Sequence, residues 1–465
     1  MDILVIGNGF DLAHELPTKY TDFLFFCSIV LEIIKENHIE IPDNKVDYIK
    51  WIEDSDETIL LNADDTFKFF FNKGASDITE REKEVYKDII TRYAIPIFCH
   101  ENNDQKLVKE IFYLVYNNIW IEYFLQCDIY GTENWIDFES EISKVIQSLD
   151  DDMHGLSQVY NIEDIVYDLS NIFLKKKYSD YIGAVQPINP IINGFLGITF
   201  REIRDKLSDD LNGLIRTFEI YLTEYVEKID CKLVSPDIQG IMSKENMKYR
   251  SGYELYVLSF NYTNTYQRIY IDKAHEQAYT KKYIDYIHGK AHINNTIESN
   301  NMVLGIDEYL SKKQKNKEIE FIAFKKFYQR IHKQTGCEYR EWINKIIQKN
   351  KAYKEKLRLN QLDFERNRGM GNEGYQTKMN LKNLEENPPK YNLYFFGHSL
   401  DITDKDILRD LILIKNVHTT IFYYNKDVMG QQIANLVKVI GQDELIKRTN
   451  EKTIEFKQQQ DMVSI

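Results

Sequence analysis

Nothing in this sequence offers about 18 uninterrupted apolar residues, so a helical membrane span is not expected. Met1 leads straight into a strand-like run with no apolar leader ahead of it, so we expect no signal peptide and a cytoplasmic location. Cysteine is scarce. The five residues Cys27, Cys99, Cys127, Cys231 and Cys337 form no CxxC pair, which argues against a zinc ribbon and a disulfide framework and for reduced thiols. The ten histidines are scattered without HExxH or comparable spacing, and no metal is expected. A positive surplus is missing too. With 59 Lys and Arg against 73 Asp and Glu the net charge is -14, which leaves no general field for nucleic acid and disfavours that partner, a local basic groove apart. Repeats and low-complexity tracts are also absent.

What is present is a chain of 465 residues, 43% of them hydrophobic, enough for a large core divided into domains or interrupted by large insertions. Ile3 to Ile6 is an apolar, β-branched run without polar alternation, suited to a strand buried on both faces of a parallel sheet. Gly7, Asn8 and Gly9 follow as a tight turn. Asp11 is placed to cap a short helix from Leu12, and Pro17 with Thr18 restarts a longer one from about Lys19. Strand, glycine turn and helix start together present amides and a positive dipole end to a phosphate. The GxGxxG pattern is incomplete, because Leu12 occupies the third glycine position and no acidic residue at the end of a second strand follows about twenty residues on, so a hydride-transferring enzyme is not expected.

Further along, Lys19 to Asn37 has helical spacing, and the region from about Glu40 to Tyr249 reads as mostly helical and aromatic. Its longest periodic segments are Leu107 to Gln126 and Phe200 to Ile229, read as bundle core. Asn134 to Val145 starts another helix, where Asp137, Glu139 and Glu141 are read as complementing the helix dipole, with catalysis by Glu139 the lesser alternative. Strand candidates then recur. Tyr256 to Phe260 ends in Asn261 and Tyr262, Tyr283 to Ile287 ends in His288 and Gly289, and Met302 to Ile306 ends in Asp307 and Glu308. Helices are predicted from about Glu318 to Leu359 and a mobile loop from Glu365 to Lys390. Asn392 to Phe396 ends in Gly397, His398, Ser399 and Leu400. Thr403 or Asp404 is expected to cap the helix over Asp406 to Ile414, and Thr419 to Tyr423 to form a further strand.

Strand ends carrying small or polar residues converge on one edge of a doubly wound sheet, which is the functional argument. The expected fold class is therefore α/β: a doubly wound, mostly parallel Rossmann-like sheet with large helical insertions. Residues 1–37 form its first part, 38–250 a mainly helical insertion, 251–309 its second part, 310–390 a helical insertion with the loop, and 391–465 its C-terminal part.

The segments GNGFDLAHELPTKYTDF, SFNYTNTY, IHG and FFGHSLDITDKDIL resemble the motifs of the AbiH family of bacterial phage abortive-infection proteins, in an order that spans nearly the whole chain. More distantly they are similar to sirtuin-like NAD-binding domains. That resemblance implies NAD with its phosphates at the first turn (Gly7, Asn8, Gly9, Phe10, Asp11, with Pro17, Thr18 and Tyr20 following). It implies adenosine near Gly397, His398, Ser399 and Leu400, and the nicotinamide ribose between Asn261 and His288, beside Tyr262 and Gly289. Asn261 would orient the ribose and water, and neutral His288 would serve as base near a ribose hydroxyl. The expected function is a defence effector that binds NAD and hydrolyses it to nicotinamide and ADP-ribose. The alternative is a non-catalytic nucleotide-sensing module. A third reading, a metal-dependent nuclease, would need clustered carboxylates, and Asp401, Asp404 and Asp406 are more simply read as helix caps. Expected partners are the nucleotide, a phage-derived trigger or partner defence protein, and a second copy of the chain.

Overall fold

A computed structural model describes residues 1–54, 58–59, 61, 84, 87–100, 104–126, 137–153, 200–248, 254–272, 283–310 and 319–464. Cys127, the first residues of the Asn134 to Val145 segment and part of the 38–250 insertion lie outside them. Among the described residues six strands form one sheet: β1 (Asp2–Ile6), β3 (Leu255–Ser259), β4 (Tyr283–Tyr286), β5 (Tyr391–Phe396), β6 (Val417–Tyr423) and β7 (Ile454–Gln458), in the order β4-β3-β1-β5-β6-β7. Every pairing in it is parallel. Two short strands, β2 (Leu233–Val234) and β8 (Val463–Ser464), pair separately and antiparallel. Counting only the strands of the large sheet, the order is 3-2-1-4-5-6, the doubly wound arrangement whose direction reverses beside the first strand.

The unalternating run in β1 has its explanation in the two cores. Leu4 and Ile6 join one apolar cluster with the insertion helices, while Ile3 and Val5 join a second with Trp342, Ile407, Leu408 and Leu436. Asp2 fixes the register of β1 on β5 by accepting from the Asn392 backbone amide (3.1 Å) and side-chain amide (2.8 Å). Helix α1 (Asn8–Ala13) and helix α2 (Tyr20–Glu36) follow β1. Phe23, Phe26, Ile29, Val30 and Ile33 of α2 are fully buried, each stabilising the fold by roughly 1.5–3 kcal/mol relative to exposure. Against them lie the helices Gln105–Tyr116, Ile119–Gln126, Phe138–Met153 and Phe200–Glu224.

Several expectations are corrected. Leu107 to Gln126 is two helices, not one, because Asn118 accepts from the Trp120 and Ile121 amides and starts the second. Asp11 does not cap a helix from Leu12; α1 begins at Asn8 with Gly7 at its N-cap, and Asp11 is buried inside it. Met302 to Ile306 is buried but is not a strand. The amides of Met302, Val303, Leu304 and Ile306 donate to Asn300 Oδ1, His288 O, the Gln329 side chain and Phe324 O, with a lone bridge from Ile306 to Lys325. Glu365 to Lys390 is not a loop: the helices Glu338–Arg366 and Gly371–Glu386 cover most of it, joined through Gly369 at φ +93°. Among the described residues no helix is long and apolar enough to cross a membrane.

Candidate functional site

The carboxyl ends of β1, β3, β4 and β5 meet. Gly7 and Gly9, after β1, lie against the Gly397–His398 turn after β5. A Cβ on Gly9 would come within 2.8 Å of Gly397 Cα, and Gly397 itself holds φ +67° with Phe10 N 2.1 Å from where its Cβ would be. These glycines therefore allow one backbone turn to seat on another. The Gly9 amide donates to Gly397 O (2.8 Å), the Gly7 amide to Phe396 O (3.2 Å) and the Phe10 amide to Gly7 O (2.8 Å). Asn8 is the exposed residue of the turn, its side chain accepting from Thr18 Oγ1 (2.7 Å).

Phe10 packs in the core beside His14, and Pro17 offers its carbonyl to Tyr221 Oη. Tyr20 stacks on Phe138 at 4.2 Å. Asp11 accepts from Thr263 Oγ1 at 2.6 Å, linking the first turn to the loop after β3. Burial pushes its carboxyl up to about 6, against the restraining Thr263, Thr265 and Asn261 side chains. Asn261 follows β3, and its buried side chain faces the Asp11 carboxyl.

His288 follows β4, and the rings of Phe260 and Tyr262, which flank Asn261, lie 5.4 and 6.5 Å from its imidazole. His288 Nε2 is 3.1 Å from Asp404 Oδ1, while Nδ1 is buried and unpartnered. Burial lowers the His288 pKa, opposed by Asp404, so the ring is neutral at pH 7. A neutral imidazole that donates from Nε2 to a carboxylate has its lone pair on Nδ1. Tyr262 Oη donates to Val303 O (2.7 Å), and Gly289 sits at φ +80° against Asn301. His398 Nδ1 accepts from the Leu400 amide (2.8 Å), and burial lowers its pKa to about 4. Leu400 is buried, and exposed Ser399 gives its carbonyl to Asn435.

Three further residues complete this centre: Glu139, whose catalysis was the lesser alternative in the sequence, Asp404, expected there as a helix cap, and Lys326, which the sequence did not mark. Lys326 opens the helix Lys326–Lys333, and its Nζ lies 2.7 Å from Glu139 Oε2 and 3.3 Å from Asp404 Oδ1. Asp404 occupies the N-cap position of the helix Lys405–Ile412, as expected, but its side chain makes no capping hydrogen bond and turns instead to Lys326 and His288; Asp401 caps the short 3-10 turn Ile402–Asp404 ahead of it by accepting from the Thr403 amide (3.0 Å). The two carboxylates diverge. Burial favours the neutral form of both, yet Lys326 and His288 hold Asp404 well below the usual carboxylate range. Glu139, with Lys326 alone, is pushed up to about 7. Burial also opposes the Lys326 charge, but Asp404 and Glu139 outweigh it and keep the ammonium protonated. Paired groups driven apart in this way are how one site holds an acid and a base together. The three acids close together from Asp137 and the acids after the GHS turn were the available signals; nothing local marked Lys326. Among the described residues no three His, Cys, Asp or Glu side chains are grouped so as to hold a metal ion.

Fold and centre define a doubly wound α/β protein with a buried acid–base cluster at the carboxyl edge of its sheet, where ligands bind in such folds. The chain belongs to the bacteriophage abortive infection AbiH family, whose model matches residues 3–424. No curated protein and no solved structure matches it.

Proposed function

We propose that this phage abortive-infection protein acts by binding NAD at the β1–β3–β4–β5 edge and hydrolysing it to nicotinamide and ADP-ribose. The observation that carries the reading is the His288–Asp404 pair. It leaves Nδ1 of the neutral His288 ring buried and unpartnered, with its lone pair free to accept from a ribose hydroxyl. Cleavage builds oxocarbenium-like charge on the sugar, which an oriented amide and a nearby carboxylate stabilise, and the departing nicotinamide leaves neutral. The test is nicotinamide release from NAD by the purified protein, alone and with a phage-derived or oligomerising trigger. Wild type is expected to release it and His288→Ala to lose about 10²–10⁴-fold in rate. No release under any condition, together with unaltered phage protection by His288→Ala, overturns the reading.

A second reading is a nucleotide-sensing module that uses the same sheet edge without turnover; in either case the Gly7 and Gly9 amides, which donate to Phe396 O and Gly397 O, are not the phosphate donors. Tight NAD binding by calorimetry with no nicotinamide release selects it.

A further inference from the structure

The acid–base cluster is not confined to the sheet. Glu139 lies in the first turn of Phe138–Met153, within the first helical insertion, and Lys326 comes from the second, while His288 and Asp404 belong to the α/β core. Phe138 holds the start of the Glu139 helix by stacking on Tyr20 and on Phe124, each at 4.2 Å. The Lys326 amide donates to Ile306 O (2.9 Å), which fixes the start of the second helix. Lys326 thus bridges two carboxylates from segments far apart in sequence, with its side chain 2% exposed against 13% for Glu139 and 12% for Asp404. An ion pair that merely tied an insertion to the core would not need a buried histidine with an unpartnered nitrogen attached to it.

Resting on the NAD reading for its substrate, we infer that the helical insertion completes the active centre, with Glu139 the catalytic base for the attacking water and Lys326 the residue that positions its carboxylate. In the step, the C1′–N bond breaks with its electron pair going to the nicotinamide nitrogen. The water oxygen bonds to C1′, and the water proton passes to Glu139 and from there to solvent. His288 engages the ribose hydroxyl, so the two bases have separate tasks. A carboxyl that titrates near 7 suits this work at neutral pH.

The experiment compares full-length wild type, Glu139→Gln and the exposed neighbour Ser140→Ala in nicotinamide release, NAD binding by calorimetry and thermal melting. Glu139→Gln is expected to lose about 100-fold or more in kcat while NAD affinity and a cooperative melt are retained, with Ser140→Ala unchanged. Turnover by Glu139→Gln equal to wild type overturns the inference. Should Glu139→Gln not melt cooperatively, Glu139→Asp keeps the charge and retracts it by one methylene; reduced kcat at unchanged KM supports the role and unchanged kcat overturns it. If wild type itself releases no nicotinamide, protection of cells from phage separates the two ideas. Loss of protection in a folded Glu139→Gln protein upholds the base and discards NAD as its substrate, whereas full protection discards the base.

Discussion

At the scale of single residues, Asp11 shows what the edge of the sheet costs. It is 1% exposed with Thr263 as its hydrogen-bonding neighbour, and burial raises its pKa to about 6 from the 3.8 of a free side chain. The folded protein therefore keeps this proton up to about pH 6, while the unfolded chain gives it up near pH 4. Between those values the unfolded state binds fewer protons, so stability falls as pH rises; below and above the window Asp11 contributes no slope. Two units correspond to about 3 kcal/mol. Asp11→Asn is expected to remove that part of the slope and to be the more stable protein at pH 7, as read from urea midpoints across pH 4 to 7 against wild type. Equal slopes in the two proteins would refute it. The same scale shows what was legible beforehand. Asn261, His288 and the Gly397–His398 turn stand directly after apolar runs, and that position announced them. Lys326 stands next to Lys325, which is equally buried and pairs with Glu308, and only tertiary structure tells the two apart. Asp404 was hidden because an acid ahead of a helix is ordinarily a cap.

At the scale of elements, the helical pair Glu338–Arg366 and Gly371–Glu386 is the clearest departure from expectation. Gly369, Gly371 and nearby asparagines suggested a loop, but they make only the turn. Straight-chain residues such as Lys, Glu, Gln, Leu and Met dominate the flanks and favour helix without any core. Buried residues of the first helix end at Asn350, and the second helix buries none. Tyr353 Oη donates to Leu384 O at 2.7 Å, so the pair closes near its base. Replacing residues 354–383 by a short Gly-Ser linker is therefore expected to leave the melting temperature within about 2 °C of wild type. A large drop would show that the distal hairpin supports the body. Met302 to Ile306 went the other way: its apolar run is buried, yet its hydrogen bonds go to Gln329 and Phe324 instead of a strand, and periodicity does not distinguish the two.

At the scale of the molecule, a sheet assembled from both ends of the chain was readable because its central strands are buried on both faces. β7 escaped notice because an edge strand is largely polar; in Ile454–Gln458 only Ile454 is fully buried. That strand lies beyond residue 424, where the family match stops, yet it pairs with β6 from Thr419 to Tyr423. The helix Lys426–Ile440 also lies beyond that point. Its Gln432 donates to His398 O (3.0 Å) and Phe422 O (3.3 Å), so this helix holds the turn that carries His398 in the candidate centre. Leu436, Val439, Ile440, Leu445 and Ile454 all enter the second core. Their removal would forfeit on the order of 10 kcal/mol, comparable with the whole net stability of an ordinary domain. A chain ending at Tyr424 is accordingly expected to be insoluble or to show no cooperative melt, although it retains every residue of the family match and of the acid–base cluster. A soluble 1–424 fragment that melts cooperatively at the wild-type temperature would mean that the sheet closes without its last strand, and that His398 is held by β5 and its neighbours alone.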